Sequence, residues 1–422
     1  MNINLNKKTI RRALTIILLI VLTIPSSAAM GKYVWAGKAA DFDLSIKGKY
    51  GILETGKEFN DRLFANARYG NDLPIIFGKA SDYPTVIKTS PLGNVDADHT
   101  GAIKLYRSNN KYYVLSDKVI MSNPDSRYMF KSRGGEIILD NFSTALATNM
   151  SHMFDDCRLS VINLPAEFVT SSVTDMSYMF NKARFTSFDL SGFDTSKVQN
   201  MEYMFSGASS LTSIDTSSFN TSTVTNMRYM FNGCRKLTEL NLSTFNTANV
   251  TDMSYMFQSC DNISSIDVSS FDTANVTKMQ GMFAYMYNIA KLDLHNFSNK
   301  SCSNYYRMFY QCSNLRNVHL CGFETKKGAN VSDMFREYSA YGPENALYIY
   351  VQAGMSLAET GVSHTSFAIY HTECIGPGVS GSNIWDEDLK AGRAFWVCSE
   401  HSALTTNSAT GSSEALNIHI AS

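Results

Sequence analysis

The chain has 422 residues, of which 44% are hydrophobic, 12% aromatic and 18% charged, and this composition excludes a chain that is disordered throughout. Its 37 Lys and Arg residues balance 38 Asp and Glu residues to a net charge of −1, which argues against a nucleic-acid-binding protein because such proteins rely on clustered positive charge. A chain of this length exceeds one ordinary hydrophobic core, so we expect two or three structural units.

The first 29 residues have the three-part pattern of an export signal. Four basic residues precede an apolar run at positions 13–24, and small residues follow at 26–29. The apolar run is shorter than the ~20 residues that cross a bilayer, which favours a cleaved signal peptide over an uncleaved anchor. We therefore predict a secreted or cell-surface protein with no membrane span after signal cleavage.

Residues 30–118 contain no repeat and are interpreted as an N-terminal cap domain. Phe59, Leu63 and Phe64 occur at helical spacing and predict an amphipathic helix within 54–69. Two apolar runs, 103–107 and 112–115, flank a polar turn and predict a β-hairpin. The cap would shield the first repeat from solvent, and an independent binding domain is the alternative.

The dipeptide Met-Phe identifies a repeat array over residues 119–336. It occurs nine times at intervals of 24 to 26 residues, at Met129-Phe130, Met153-Phe154, Met179-Phe180, Met204-Phe205, Met230-Phe231, Met256-Phe257, Met282-Phe283, Met308-Phe309 and Met334-Phe335. A period of this length is typical of a solenoid, in which stacked units share one continuous core. We therefore expect the Met-Phe pairs to be buried.

One repeat predicts a short strand followed by a short helix. Leu240 and Leu242 alternate with polar residues as in a strand. Four apolar residues then follow at the spacing i, i+3, i+4 and i+7, which places them on one face of a helix: Met253, Met256, Phe257 and Cys260. The predicted fold class is α/β, a leucine-rich-repeat-like solenoid with parallel strands and short helices.

The repeat also resembles a known family. The phrase Phe245-Asn-Thr-Ala-Asn-Val-Thr-Asp-Met-Ser-Tyr-Met-Phe257, with related phrases starting at Phe193 and Phe271, is similar to the 26-residue repeat of BspA-type leucine-rich-repeat bacterial surface proteins. The resemblance covers residues 119–336. It implies an exported leucine-rich-repeat solenoid, often adhesive and without catalytic residues. It implies no particular ligand and assigns no functional residue.

Two columns of residues recur at fixed positions in the repeats and are the candidate ligand-binding residues. The aspartate column lies on the outward side of the predicted strands and consists of Asp189, Asp215, Asn241, Asp267 and Asp293. Its oxygens suit calcium, and a solvated polar stripe is the alternative. The tyrosine column lies just before the methionines and consists of Tyr178, Tyr203, Tyr229 and Tyr255. These rings suit a protein or sugar partner, or they stack and stiffen the solenoid.

The cysteines and histidines predict neither a metal site nor a catalytic site. Four of the 8 cysteines follow a Met-Phe pair by three residues, where other repeats have Ala or Met, so we expect a small buried slot. Three disulfides stay open as alternatives, Cys234–Cys260, Cys302–Cys321 and Cys374–Cys398. The sequence has no CxxC or HExxH motif, and we expect no metal and no cofactor.

Residues 337–422 are interpreted as a β-rich C-terminal region because four short apolar runs occur there, at 346–351, 367–370, 394–397 and 416–420. The segment Gly376–Gly381 matches the GxGxxG pattern of dinucleotide-binding loops. Pro377 within the segment favours a glycine-rich surface loop instead.

Together these features predict a non-enzymatic, secreted or cell-surface repeat protein. We expect it to mediate adhesion by binding host or neighbouring-cell proteins or glycans through the solenoid surface, with nucleic acids excluded as partners. A structural envelope or biofilm component is one alternative. A spacer that presents a functional C-terminal module is the other.

Overall fold

The computed structural model describes residues 50–65, 72–159, 164–298, 300–320 and 328–335, together with five short strands nearer the C-terminus. Contacts separate Met1–Tyr50 from a second unit, Gly51–Ser422. The helices and strands given below belong to the second unit, except for Tyr50, the first residue of the strand β1 Tyr50–Ile52. The described residues form a mixed α/β structure in which short strands and turns predominate, with one α-helix among them. The predicted signal peptide lies outside the described residues.

The helix α1 spans Gly56–Ala65 and begins at a capping box. The Glu58 N–H donates to Thr55 Oγ1 at 3.3 Å, and the Thr55 N–H donates to Glu58 Oε2 at 3.1 Å, which satisfies two amide groups that a helix start leaves open. Phe59 and Leu63 are fully buried, which confirms the predicted helix. Phe64 does not face inward as predicted, because its side chain is 37% exposed.

A five-stranded sheet follows the helix and consists of β2 Ile75–Lys79, β3 Gly93–Asn94, β4 Lys104–Ser108, β5 Lys111–Ser116 and β7 Ile137–Leu139. The order of its strands is β3-β4-β5-β2-β7. The antiparallel pairing of β4 with β5 confirms the predicted hairpin, with Tyr106 opposite Tyr113. β2 lies parallel between β5 and β7, so Phe77 is opposite both Val114 and Leu139. A 3-10 turn, Ala80–Asp82, follows β2.

A second sheet of three strands has the order β1-β6-β8. Its strands are β1 Tyr50–Ile52, β6 Val119–Met121 and β8 Phe142–Ser143. Because β6 lies next to β1 and β7 pairs in parallel with β2, the start of the repeat array continues both sheets of the preceding segment. The preceding segment and the repeat array therefore share both sheets.

Successive repeats contact one another through isolated parallel bridges, one per repeat. The bridges connect, in order, Asp125, Asn149, Asp175, Asn200, Asn226, Asp252, Lys278, Asn304 and Asn330. At the Asp and Asn positions the side chain also accepts a backbone N–H two residues later, as Asp252 Oδ1 accepts from Ser254 at 2.9 Å. This Asx turn starts each Met-Phe segment in the same direction.

In the Met-Phe segments, successive backbone N–H groups alternate between two kinds of acceptor. One is a carbonyl three residues earlier in the same segment, and the other is a carbonyl of the following repeat. The Phe257 N–H donates to the Met282 carbonyl of the following repeat at 2.9 Å, whereas the Met256 N–H donates back to the Met253 carbonyl at 3.3 Å. The same alternation recurs along the stack, for example at Phe205, which donates to Met230 at 2.9 Å. Alternate amide groups are therefore satisfied only by a neighbouring repeat.

The short helix predicted over Met253–Cys260 is wrong, because the segment consists of turns. Tyr255 and Ser259 have φ angles of 59° and 57°, in the left-handed region. A right-handed helix requires φ near −63° at every residue, so two left-handed residues per segment convert it into consecutive turns. The short strand that the sequence predicts in every repeat occurs in few of the described repeats. Within the described part of the later repeats it is assigned only at β9 and β10.

The prediction of a buried Met-Phe core is confirmed. All nine pairs are at most 5% exposed and belong to one hydrophobic cluster that extends from Leu53 to Phe335. The phenylalanine rings stack from repeat to repeat, and the rings of Phe205 and Phe231 have centroids 5.6 Å apart with planes 4° from parallel. The methionines belong to the same buried cluster, where flexible thioether side chains adapt to uneven packing.

A column of buried threonines also connects successive repeats through hydrogen bonds. Its members are 0–1% exposed: Thr170, Thr195, Thr221, Thr247 and Thr273. Thr221 Oγ1 donates to the Asn246 carbonyl at 2.8 Å and accepts the Asn246 N–H at 2.8 Å. Thr216 is buried too and donates to the Asn241 carbonyl. Polar residues at these positions therefore bridge backbones that the turns leave unpaired.

Short strands continue from the last repeats towards the C-terminus. β9 Lys291–Asp293, β10 Asn317–Leu320, β11 Tyr348–Val351 and β14 Trp396–Val397 form a parallel sheet in the order β14-β11-β10-β9. β12 Cys374–Gly376, β13 Val379–Gly381 and β15 His419–Ile420 form an antiparallel sheet. Strands thus occur within three of the four predicted runs, and the run 367–370 lies outside the described residues. Gly376 and Gly381 lie on paired strands, so the prediction of a glycine-rich surface loop is wrong for the described ends of the GxGxxG match.

Candidate functional site

The tyrosine column forms a stack of rings, here called the aromatic ladder. It consists of Tyr128, His152, Tyr178, Tyr203, Tyr229 and Tyr255, whose successive ring centroids are 4.4–4.6 Å apart with planes 10–21° from parallel. Neighbouring members are separated by 24 to 26 residues of sequence, so the stack depends on the register between repeats. Each inner ring therefore has both faces covered by the rings of adjacent repeats.

The backbone aligns these rings. Every member of the aromatic ladder has a left-handed φ angle, between 56° and 64°. A left-handed residue with a β-carbon costs roughly 1–2 kcal/mol, and aromatic stacking returns about 0.5–1.5 kcal/mol per pair beyond the area that it buries. Since the same unusual conformation recurs at the ladder position of each of these repeats, each ring leaves the backbone in the same direction as its neighbours.

The sequence placed the four tyrosines on helices, and the structure places them on turns instead. They are half-buried, and they stack on one another as the stiffening interpretation expected. Because neighbouring rings cover their faces, the ring edges and hydroxyl groups are the parts that a partner could reach. The pattern missed His152, although its position directly before Met153 is the ladder position.

Charged residues flank the middle of the aromatic ladder. The Arg228 guanidinium lies 4.8 Å from the centre of the Tyr229 ring, which favours a cation–π contact. Arg228 Nη1 also lies 3.1 Å from Glu202 Oε1. Burial raises the pKa of the Tyr203 and Tyr229 hydroxyls above the usual value of 10. At neutral pH these hydroxyls are protonated and act as hydrogen-bond donors.

His152 connects the aromatic ladder to an ion pair. Its Nδ1 lies 2.8 Å from Asp155 Oδ2, which Lys131 Nζ approaches to 2.7 Å, and Asn181 Nδ2 donates to Asp155 Oδ1 at 2.8 Å. Burial alone would raise the pKa of Asp155, but the hydrogen bonds from His152, Lys131 and Asn181 outweigh it and lower the pKa. The carboxylate is therefore held ionised and fixes the orientation of the imidazole.

The aromatic stack ends at Gly281, which occupies the next ladder position. A β-carbon there would lie 2.3 Å from Cδ1 of Tyr255, so the tyrosine ring packs against the glycine backbone. The following ladder position is Arg307, whose Nε lies 3.2 Å from Asp333 Oδ2. In the last repeats, the position that holds an aromatic ring in the aromatic ladder is therefore occupied first by glycine and then by a charged side chain.

The aspartate column is exposed along its whole length, as expected. Each member accepts a backbone N–H two residues later at 2.9–3.1 Å: Asp189 from Ser191, Asp215 from Ser217, Asn241 from Ser243, Asp267 from Ser269 and Asp293 from His295. Side-chain and backbone hydrogen bonds from these serines lower the pKa of Asp189, Asp215 and Asp267. Among the residues with described structure, no group of three or more His, Cys, Asp or Glu is arranged to hold a metal ion.

The repeat cysteines occupy a small buried slot, as predicted. Cys157, Cys234, Cys260 and Cys312 each place Sγ 2.8–3.2 Å from a phenylalanine carbonyl of the preceding repeat. All four are free thiols, so the Cys234–Cys260 disulfide is absent. Burial raises the pKa of Cys157 and Cys234 to about 12, which suppresses the reactive thiolate. Cys302 is also free, while Cys321 and Cys398 lie outside the described residues.

The helices found in the described ranges include none with the length and apolar character needed to cross a bilayer.

Comparison with known proteins identifies the repeats. A family model described as "Mycoplasma protein of unknown function, DUF285" matches residues 125–240 and again residues 233–345. No curated protein and no solved structure matches the chain. The two matched segments coincide with the stack of bridged repeats and together span more than half of the 422 residues. The chain therefore belongs to the DUF285 repeat family.

Proposed function

We propose that the chain is a secreted or cell-surface adhesion protein of the BspA type. In this proposal the repeats form a leucine-rich-repeat-like solenoid, and its surface binds proteins or glycans of a host or of neighbouring cells. The export-type N-terminus supports the location, and the bridges between successive repeats support the solenoid. The proposed role is binding without catalysis.

One observation carries the proposal: the same solvent-accessible groups, half-buried rings and exposed aspartates, recur at constant register along the stack. The aromatic ladder repeats every 4.4–4.6 Å, and the aspartate column presents an exposed carboxylate or amide in five consecutive repeats. A long surface of this kind engages an extended partner through many equivalent weak contacts, which together give a high overall affinity. A repeat protein whose surface groups did not recur at constant register would lack this advantage.

The chemistry of the two columns indicates hydrogen bonding to the partner. Tyrosine edges supply hydroxyl donors beside apolar carbon, and the aspartate column supplies acceptors. Peptide backbones and sugar hydroxyls offer the matching groups. Nucleic acids are excluded from the proposal because the net charge is −1 and acidic side chains line one of the two columns.

The test is binding of the purified full-length chain to arrays of glycans and extracellular-matrix proteins. A positive partner is then titrated against the variant Asp189→Asn/Asp267→Asn, which keeps the Asx turns and removes two column charges. The matched control is Asp194→Asn/Asp272→Asn, since these exposed aspartates make the same type of turn outside the column.

A role of the aspartate column predicts that the first variant binds at least about five-fold more weakly, which corresponds to a loss of ~1 kcal/mol, while the control binds as the parent does. Equal binding by both variants would remove the aspartate column from the site. Absence of every partner at micromolar concentration, together with concentration-dependent self-association, would favour a structural envelope component instead.

A further inference from the structure

Four consecutive tyrosines in the aromatic ladder have a geometry that other tyrosine pairs described in the chain lack. The pairs Tyr178–Tyr203, Tyr203–Tyr229 and Tyr229–Tyr255 have centroids 4.4–4.5 Å apart and planes 11–17° from parallel. By contrast, Tyr285 meets Tyr287 at 6.2 Å and Tyr310 at 5.3 Å with planes about 70° apart. The ladder tyrosines are also half-buried rather than enclosed, so an oxidant can reach their edges.

We propose that these four stacked tyrosines are a site of oxidative cross-linking, in which a peroxidase and hydrogen peroxide join adjacent rings as dityrosine. One electron and one proton leave each of two phenols, and the two phenoxyl radicals form a carbon–carbon bond between ring positions ortho to the oxygens. The two ortho hydrogens then move to the oxygens and restore both aromatic rings. Hydrogen peroxide takes up the two electrons and two protons and is reduced to two molecules of water.

The register between repeats makes this coupling intramolecular. Tyr203 and Tyr229 belong to adjacent repeats that the Tyr203 N–H to Arg228 carbonyl hydrogen bond holds together at 2.9 Å. A fixed neighbour in van der Waals contact reacts far faster than a second molecule at micromolar concentration, since the encounter has no translational cost. Tyr203 and Tyr229 each have a tyrosine on either side, so a radical formed on one of these inner rings has two neighbours with which to couple.

The expected product is a covalent staple between repeats that are 25 or 26 residues apart in sequence. A staple at this position closes a loop in the unfolded chain and thereby reduces its conformational entropy, as a disulfide does. The inference depends on ring geometry and not on the proposed adhesive function.

The experiment treats the full-length chain with horseradish peroxidase and hydrogen peroxide over a range of protein concentrations. Dityrosine is followed by its own fluorescence, and cross-linked peptides are identified by mass spectrometry. The test variant is Tyr203→Phe/Tyr255→Phe, which keeps every ring of the stack but leaves no two phenols adjacent. The matched control is Tyr287→Phe, because Tyr287 is 42% exposed and lies outside the aromatic ladder.

We expect the parent and the Tyr287→Phe control to form monomeric, cross-linked chain in a yield independent of concentration, with peptides that join the three ladder pairs. The double variant should lose all three of these peptides. Equal dityrosine yield in the double variant, a product that forms only between molecules, or cross-links mapped mainly to other tyrosines would each overturn the proposal. A greater loss in the control than in the double variant would show that exposure governs the reaction, and would overturn it too.

Discussion

Tyr203 and Tyr229 lie with their ring centroids 4.4 Å apart and their planes 17° from parallel, although 26 residues of sequence separate them. The two residues share a left-handed backbone, with φ angles of 56° and 57°. Their stacking is thus a consequence of backbone conformation and repeat register acting together. Changes to either one should be measurable as changes in stability.

The left-handed backbone predicts an unusual substitution pattern at position 203. Tyr203→Val should destabilise the fold more than Tyr203→Asn, although both remove the ring, because a β-branched side chain tolerates φ near 56° poorly and Asn tolerates it well. We expect a difference of about 1–2 kcal/mol between the two variants. Urea unfolding monitored by circular dichroism measures it.

The same pair of substitutions at Tyr306 is the control, since this tyrosine is not at a left-handed position. There the Val and Asn variants should differ by less than about 0.5 kcal/mol. Equal differences at positions 203 and 306 would contradict a role of the backbone.

Gly281 is predicted to tolerate no β-carbon. Gly281→Ala places that atom 2.3 Å from Cδ1 of Tyr255 and also leaves alanine at a φ of 60°. We expect a loss of about 1–3 kcal/mol of stability, measured by thermal unfolding. Gly192→Ala is the matched control, because nothing lies within 4 Å of its β-carbon position, and its stability should change little.

The phenylalanine core should be sensitive to truncation. Phe231 is fully buried and stacks between Phe205 and Phe257, at centroid distances of 5.6 and 6.0 Å. Phe231→Ala leaves a cavity and should cost about 3–5 kcal/mol in the free energy of unfolding. Phe64→Ala removes a ring that is 37% exposed and should cost distinctly less. Equal losses in the two variants would contradict the continuous core.

Asp155 predicts a specific acid sensitivity. Its pKa in the folded chain lies below the usual value of 3.8, because hydrogen bonds from His152, Lys131 and Asn181 outweigh the effect of burial. A lowered folded-state pKa contributes stability above the unfolded pKa, and this contribution is lost as the pH falls through the folded pKa. The stability difference between the parent and Asp155→Asn should therefore be present at about pH 6 and shrink at the acid end, towards about pH 2.

Urea unfolding at a series of pH values measures this difference. Asp140→Asn is the control, since Asp140 is exposed. A gap between the parent and Asp155→Asn that stays constant down to the acid end would show that the carboxylate is not the source of the sensitivity.

The repeat cysteines should be inert while the chain is folded. Cys157 and Cys234 are fully buried, and burial raises their pKa to about 12, so iodoacetamide should not alkylate them at neutral pH. Peptide mapping before and after denaturation in urea tests this expectation. Both peptides should appear reduced and unmodified in the native sample and alkylated in the denatured one. Modification of either cysteine in the native chain would show that the slot opens.

The sequence predicted burial well because burial follows the repeat period. Every Met-Phe pair was expected in the core and is there, since side chains at equivalent positions of a stack share one environment. The exposed Asp189 and Asp267 were found by the same reasoning. In both cases the period alone carried the information, and the details of local conformation did not matter.

Local conformation was predicted poorly. The spacing of the apolar residues Met253, Met256 and Phe257 indicates a helix. Consecutive turns, in which every second N–H donates to the carbonyl three residues earlier, bury apolar residues at the same spacing. The distinguishing feature is the left-handed φ of Tyr255, and tyrosine is not a residue that predicts such a conformation. The conformation depends on hydrogen bonds to the next repeat, such as the one from the Tyr255 N–H to the Gln280 carbonyl. A prediction from neighbouring residues in the sequence does not include these bonds.

The direction of the inter-repeat hydrogen bonds has a consequence for how such chains vary in length. Each Met-Phe segment donates to the segment after it, as Phe231 donates to Met256 at 2.9 Å and Phe257 donates to Met282 at 2.9 Å. If one whole repeat were deleted, the repeat before it would donate its N–H groups to the repeat after it, whose carbonyls lie at the equivalent positions. Gain or loss of complete repeats by genetic recombination should therefore preserve the hydrogen bonds between repeats, whereas an insertion or deletion of a few residues would break their register.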